Sequence, residues 1–576
     1  MLFRLAIVHA VLSLGLAVFL DRIATGQGVM RFLVAFGLAC WVAFWVYWWR
    51  PGLGPLWTYI LLLGIAAALW MMRRTLRLQV RFAHRLLLPA TTYAAFILVI
   101  GYYPSFDVND LLTQGATRWL DLPGDNILPK LFADQLRRGQ VHQPMVGDWL
   151  SSDRPPLQTG AYLLLFGTSP SPLSYQVAAS WLQALVLLPA MLLLRQVAPH
   201  VAGVALIAFG ASSLLSVHVL FVWPKLLAAA YGLVVLMLAM DTGRVTRERA
   251  FLLGAAAALA MLSHGGAAFS LVAIALCMVG ARFSQARQLA LVAAGTALLT
   301  YAPWMAYQRF ADPPGNRLLK WHLAGMVEPN GLSLSQALGR AYGGMGWPDW
   351  LAGRFQNLER LFGGVGTFWT DLAGLFAAPN SEARLRVIEH VQLASFFEMS
   401  YSLWAFAPLP VALAWFLLGG WRRDWPAAAS WLLGTGVLSS LVAALLLFSP
   451  EGAVLHQVSL LSWIMLFALG VVLLQSLSPA AFGVAVGIQL AVFIGAYVFT
   501  GGKSGTPTTA TAYAVLASGH FALFALACLS IRGRPSSHLL QVPEDEAAPD
   551  RAPTGTSHAR SPRAMSPSPM STNPGP

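Results

Sequence analysis

From Met1 to about Ile531 the chain alternates long apolar runs with short polar breaks. A run of roughly 20 apolar residues crosses about 30 Å of hydrocarbon as a helix, and about fifteen such runs can be counted. The pattern predicts an all-α polytopic integral membrane protein with about 13–15 transmembrane helices. Two breaks are much longer than the rest, and they divide the chain. N-terminal transmembrane helices span 1–103, a first long loop 104–155, a transmembrane core 156–306, a second long loop 307–397, and C-terminal transmembrane helices 398–531. The Pro- and Ser-rich stretch 532–576 has too few large apolar residues to bury and is expected to be disordered.

Composition agrees with the pattern: 57% of residues are hydrophobic, 21 are tryptophan, and only 11% are charged. The opening FRLAIVHAVLSLGLAVFL reads as a retained helix, because another span follows at once and no small-residue cleavage site is evident. Cys40, Cys277 and Cys528 lie in or beside apolar runs without disulfide or metal-ligand spacing. The net charge of +13 points to topology and not to nucleic acid, since the arginines gather in the tail and in short breaks. RRTLRLQVRFAHR, RVTRER, ARFSQAR and WRRDW should all be cytoplasmic by the positive-inside rule. Following the spans from there puts both long loops outside, the tail inside and the N-terminus, with Arg4, outside.

The first long loop carries seven aspartates and no glutamate between Tyr102 and Gly160. Within it, GDNILPKLFADQLRRG has Ile127, Leu128, Leu131, Phe132 and Leu136 at helical spacing, an amphipathic helix suited to a membrane surface. Asp125 at its start is either an N-cap or a general base at the edge of a cavity. The following DWLSSDRPPLQTG places Asp153 and Arg154 before Pro155-Pro156. That pair is either a solvated interfacial ion pair or a directed phosphate site. The prolines bias Arg154 away from helical geometry, and a fixed guanidinium suits a phosphate.

Three further groups carry the same ambiguity. His264 in LSHGGAAFSL is a packed histidine or a functional polar group within the membrane. Lys225 in HVLFVWPKLLAAAYG snorkels to the interface or faces a cavity, and its residue type favours snorkelling. Lys320 and His322 in NRLLKWHLAG are solvated loop residues or phosphate ligands. A lone GGVG in the second loop does not establish a phosphate loop.

From Tyr102 to His322 the order of these segments resembles the GT-C glycosyltransferases that use polyprenyl-phosphate sugars. It is closest in kind to the lipid A aminoarabinose transferases and the dolichyl-phosphate-mannose-protein mannosyltransferase-like superfamily. GDNILPKLFADQLRRG is similar to their first acidic helix, with Asp125 at the catalytic aspartate. Asp153, Arg154 and Pro155 match an acidic-basic-proline triplet. LSHGGAAFSL resembles their short break between helices, and YAPWMAYQRFADPPGNRLLKWHL their exit into the second outer loop. Asn126 stands where many relatives have a second acid, and His264 where the nearest have lysine. Both departures bear on metal binding and sugar identity. Asp125 with other loop aspartates leaves Mg²⁺ or Mn²⁺ open as a cofactor.

The resemblance implies inverting transfer of a sugar from a polyprenyl phosphate to a hydroxyl of an envelope glycan, lipid or protein, at the outer face of a bacterial inner membrane. Asp125 would be catalytic. Arg154, Lys225, His264 and His322 would bind the donor phosphate, and Asn126, Asp153 and Pro155 would support them. The partners are then the lipid-linked sugar, its acceptor and membrane lipid, with no nucleic acid. Two alternatives use the same residues: a transporter or flippase of a lipid-linked saccharide, and a non-catalytic subunit of a polysaccharide assembly complex.

Overall fold

The computed structural model describes residues 1–531 apart from 21–24, 105, 143, 244, 363, 399, 426, 449–459 and 499–510. The tail 532–576 lies outside the described residues. No β-strand occurs among the described residues, and the chain is a polytopic integral membrane protein built of helices. Among the described residues ten helices are long and apolar enough to cross a membrane, or up to twelve if each of two bent pairs is one span. The count falls below the expected 13–15 because several apolar runs form short helices. Leu157–Phe166 has 10 residues, Lys225–Met240 has 16 and Arg247–Ser263 has 17.

The first 103 residues form four helices as expected, Leu2–Phe19, Thr25–Trp49, Gly54–Met71 and Leu76–Tyr102. The stretch Ala267–Ala306 has 40 residues, about twice what a bilayer needs, and breaks at Arg282, where φ −146° and ψ 53° leave the helical region. The two long loops are helical too. The first holds Leu111–Thr117 and Leu128–Arg137, and the second holds five helices between Arg317 and Phe397.

Helices in a membrane gain little from hiding apolar surface that lipid would cover anyway, so close contact and polar bonds hold them together. Gly160 lets Leu157–Phe166 pack on the Cys40 carbonyl, and Gly254 does the same at the Ala293 carbonyl; a Cβ would collide at either place. Ser270, Ser439 and Ser462 join three helices through hydroxyl bonds of 2.5 to 3.1 Å. Buried amides do the same nearer the site. Gln158 Nε2 donates to the Tyr175 hydroxyl at 2.8 Å and the Val222 carbonyl at 2.9 Å, and Gln183 Nε2 donates to Gln158 Oε1 at 2.9 Å.

Contacts sort the breaks onto two ends of the bundle. Arg31 pairs with Glu248 of RVTRER at 2.5 Å, and Gln79 Nε2 donates to the Leu20 carbonyl. Arg282 of ARFSQAR donates to the carbonyls of Met240 and Asp241 and stacks on Trp431 near WRRDW. The basic segments therefore share one end. At the other end Arg4 bonds Ser171 and Ser174, Arg137 donates to the Gly167 carbonyl, and Phe448 N donates to the His322 carbonyl. This end carries both long loops. With Cys277 replaced, Gly52→Cys and Gly331→Cys should react together with an impermeant thiol reagent from one side of the membrane. Arg74→Cys and Asp424→Cys should react from the opposite side, and co-labelling of Arg74→Cys with Gly52→Cys would contradict the arrangement.

Candidate functional site

A cavity of about 260 Å³ lies at the loop-bearing end, and residues from distant parts of the chain meet in its wall. Asp125, Asn126, Asp153, Arg154, Pro155, His264 and His322 all line it, so the first loop, the break after Ser263 and the second loop converge. The rest of the wall is mainly apolar, including Met261, Phe269, Val272, Trp304, Leu319 and Leu446.

Asp125 belongs to the 3₁₀ turn Gly124–Ile127, which leads into Leu128–Arg137. Its carboxylate caps neither element: Oδ2 accepts from Arg154 Nη2 at 2.8 Å, with each side chain 13% exposed. The expected N-cap is thus replaced by an ion pair. The helix does not lie free on the membrane surface either. Its buried Phe132 packs edge-on against Phe44 at 5.4 Å and lies 6.1 Å from Tyr307.

Arg154 follows the 3₁₀ turn Ser151–Asp153 in the extended conformation expected before proline, φ −123° and ψ 118°. Its guanidinium lies 4.5 Å from the Trp149 ring centroid, and that of Arg317 lies 4.1 Å from the same ring. Arg317 also bonds Asp148 at 2.7 Å and stands 3.6 Å from Asp153. Asp153 is itself anchored, Oδ2 accepting from the Leu150 amide at 3.0 Å.

Residues of the second loop hold this turn from behind. Buried Asp312 accepts from Ser151 Oγ at 2.5 Å and the Ser152 amide at 2.9 Å. Gln308 donates to the Ser152 carbonyl at 2.9 Å, and Tyr307 shares a 2.7 Å bond with Ser151. The sequence reading did not single out Trp149, Tyr307, Gln308, Asp312 or Arg317. The one local signal was an aspartate and an arginine flanking Pro313-Pro314-Gly315, which on its own marks only a turn.

Lys225 heads its helix three residues after Val222, a non-glycine residue at φ 56° and ψ 31°, whose carbonyl is held by Gln158. The side chain does not snorkel to water. It is 3% exposed, with Nζ 3.8 Å from the Trp223 ring centroid and close enough to favour the Asp125 carboxylate electrostatically. Trp223 and Pro224, rather than Lys225, form the cavity surface there. His264 ends Arg247–Ser263 in an extended conformation, and its Nδ1 accepts from the Gly266 amide at 3.0 Å. A neutral ring so held carries its proton on Nε2.

His322 and Lys320 diverge although they share a helix. His322 reaches the cavity, and its buried Nδ1 has no hydrogen-bond partner among the described residues. Lys320 turns away and donates to Asn330 Oδ1 and the Asn330 carbonyl, both at 2.8 Å, so it staples the loop and not a ligand. Asn126 is likewise structural, its Nδ2 donating to the Leu112 carbonyl at 2.9 Å and its carbonyl accepting from Tyr175 at 2.9 Å.

Electrostatics follow from burial. It raises the Asp125 carboxyl above the usual range, against the pull of Arg154 and Lys225. Asp153 is raised as well, chiefly by burial and further by Asp312, while the Leu150 amide, Arg317 and Arg154 oppose. Burial, and then the positive neighbours Lys225 and Arg154, push His322 down to about 4, so it is neutral near pH 7. Among the described residues no three His, Cys, Asp or Glu side chains are grouped to hold a metal ion. Asp125 and Asp153 each face a guanidinium, a donor set poorly suited to Mg²⁺ or Mn²⁺.

Restoring an acid beside Asp125 should therefore not restore a metal ligand. Asn126→Asp loses the donor to the Leu112 carbonyl and buries a charge against it. It should destabilise the protein by about 1–3 kcal/mol, read as a lower thermal unfolding midpoint that Mg²⁺ or Mn²⁺ does not recover. An unchanged midpoint would show that the buried amide contributes nothing.

No family model, no curated protein and no solved structure matches the chain, so the likeness to GT-C enzymes rests on the residues quoted above.

Proposed function

We propose that the chain is a membrane glycosyltransferase that moves a sugar from a polyprenyl phosphate to an acceptor hydroxyl, with inversion, at the extracytoplasmic face. The observation that carries this reading is convergence. Asp125, Arg154, His264 and His322 are up to about two hundred residues apart in the chain, yet they line one cavity, with Lys225 in electrostatic reach. The basic segments at the far end of the bundle support an outward-facing cavity by the positive-inside rule. The apolar wall suits a prenyl chain and the polar residues suit its head group.

In the reaction Asp125 takes the proton of the acceptor hydroxyl as its oxygen attacks the anomeric carbon. The bond from that carbon to the phosphate oxygen breaks, its electron pair stays on the phosphate, and polyprenyl phosphate leaves. Arg154 offsets the charge growing on that oxygen. It can do so without abandoning Asp125, because a guanidinium is a fork of five N–H donors and the bond to Asp125 runs through Nη2. His322, neutral near pH 7, supplies a hydrogen bond rather than a charge.

Asp125→Asn should lower transfer by about 10²- to 10⁴-fold with little loss of folded protein, while Arg154→Ala should chiefly weaken donor use. Mass spectrometry of envelope glycans and glycolipids tests this in cells: a deletion and Asp125→Asn should lose the same sugar while the donor lipid accumulates on the outer face. Wild-type behaviour of Asp125→Asn refutes the base, and a donor trapped inside favours the flippase.

The pH profile provides a separate check. The base must be ionised, so the rate falls as pH drops through the Asp125 pKa, and burial sets that limb above the ~3.9 of an exposed aspartate. Arg154 opposes the rise, so Arg154→Gln should move the limb further up and Arg154→Lys should move it less. A limb that ignores both substitutions would remove Asp125 from the reaction.

A further inference from the structure

The end of the bundle opposite the cavity carries charge that the fold itself does not use. Leu76–Tyr102 opens with LRLQVRFAHR, where Arg77, Arg81 and Arg85 recur every fourth residue. Each step advances about 6 Å and turns about 40°, so the three positions lie along one face. Arg74 extends the row from the turn before the helix, and all four side chains are exposed. The opposite face meets the protein: Gln79 Nε2 donates to the Leu20 carbonyl, and Ala83, Leu86 and Leu87 are buried.

Other arginines at this end are committed to the fold. Arg249 donates to the carbonyls of Leu238, Asp241 and Gly243, Arg282 to those of Met240 and Asp241, and Arg31 pairs with Glu248. Arg74, Arg77, Arg81 and Arg85 make no ion pair or side-chain hydrogen bond among the described residues. Like charges four apart on a helix repel, so an ordered row of them calls for negative charge from outside the fold.

The surroundings of the row identify its partner. Trp70, Met71 and Leu78 are exposed beside it, and the Arg73 guanidinium lies 5.4 Å from the Trp70 ring centroid. Exposed tryptophan next to arginine suits a membrane interface, where the ring rests among head groups and the guanidinium reaches phosphate. From Leu86 to Tyr102 the helix is mainly apolar over about 26 Å, close to the thickness of the hydrocarbon, so the row ends where hydrocarbon begins.

We infer that Arg74, Arg77, Arg81 and Arg85 bind a phospholipid with an anionic head group in the leaflet at this end. A guanidinium matches two oxygens of a phosphate, and a zwitterionic head group brings its own cation into the row. The binding does not depend on the transferase reading. Leu76–Tyr102 leads into the first long loop, so a lipid held at one end fixes the depth of a helix whose other end carries that loop.

One rival occupant belongs to the chain itself. Phe521 lies 5.3 Å from Phe96 and Phe524 4.9 Å from Tyr93, so Thr511–Ser530 runs antiparallel to Leu76–Tyr102 and ends toward the row. The stretch beyond it carries Glu544, Asp545, Glu546 and Asp550. PEDEAAPD has no large apolar residue to cover Trp70, Met71 and Leu78, whereas a lipid brings acyl chains, and this favours the lipid.

The test titrates the full-length protein in neutral detergent with dioleoylphosphatidylglycerol or dioleoylphosphatidylcholine and counts bound lipid by native mass spectrometry. Wild type should bind the anionic lipid at least tenfold tighter than the zwitterionic one. Arg81→Gln alone should weaken the anionic lipid roughly fivefold. The triple variant Arg77→Gln/Arg81→Gln/Arg85→Gln should bring the two lipids within twofold and keep the wild-type melting temperature, because no bond within the fold is lost. Arg247→Gln/Arg287→Gln/Arg422→Gln removes as much charge from exposed positions elsewhere at this end and should keep a preference of at least fivefold.

Equal binding of both lipids by wild type overturns the site, as does a row variant that keeps the preference. Loss of the preference in both triple variants would make net charge its cause and also overturn it. Deleting residues 541–576 should change affinity for the anionic lipid less than twofold. A larger gain would make the acidic stretch the occupant of the row in place of lipid.

Discussion

The site depends on one contact, the 2.8 Å pair between Arg154 and Asp125, which joins the end of one turn of the first loop to the start of another. With each side chain only 13% exposed, both charges have lost most of their water. Removing an ion from water costs several kcal/mol, and attraction between the two seldom returns much more than that. The pair therefore contributes little net stability and needs support from its surroundings. Pro155 keeps Arg154 extended, Trp149 covers the guanidinium, and Lys225 adds positive potential for Asp125.

That support comes from far along the chain. Tyr307, Gln308, Asp312 and Arg317 grip residues 148–153, so the second loop fixes the shape of the first. Gln158 works from the opposite side, joining the helix after Arg154 to the Val222 carbonyl next to Lys225. Val222 sits in the left-handed region although its side chain is β-branched, a conformation that surrounding contacts must impose. The cavity wall is thus braced from two sides, by the second loop and by Gln158, through polar bonds that are mostly buried.

Local patterns in the sequence foretold a good deal. Hydrophobic runs gave the four N-terminal helices, basic breaks gave a shared end, and Pro155-Pro156 gave the extended Arg154. The gathering of Asp125, Arg154, His264 and His322 in one cavity was an expectation that came from the resemblance and not from the residues read singly. What escaped was decided by contacts between distant segments. Asp125 looks like an N-cap until Arg154 arrives from 29 residues away. Lys320 and His322 read alike in NRLLKWHLAG, yet two positions on a helix point about 200° apart, and only one faces the cavity. Asp312 and Arg317 carry no signal until the turn they hold is known. Some apolar runs counted as spans form helices of fewer than 18 residues, because an apolar run does not fix the length of the helix it makes.

Charge at the cavity gives the last step. Arg154 pairs with Asp125, Lys225 lies in electrostatic reach of the same carboxylate, and His322 is neutral near pH 7. On the transferase reading the donor is a phosphodiester with one negative charge. The leaving phosphate is a monoester that gains further charge, with a second pKa near 6. As that charge grows it opposes Lys225 and Arg154, which add to burial in holding the His322 pKa low, and so favours protonation of the ring. On that reading a histidine kept neutral in the resting site would be a proton acceptor held in reserve for the product.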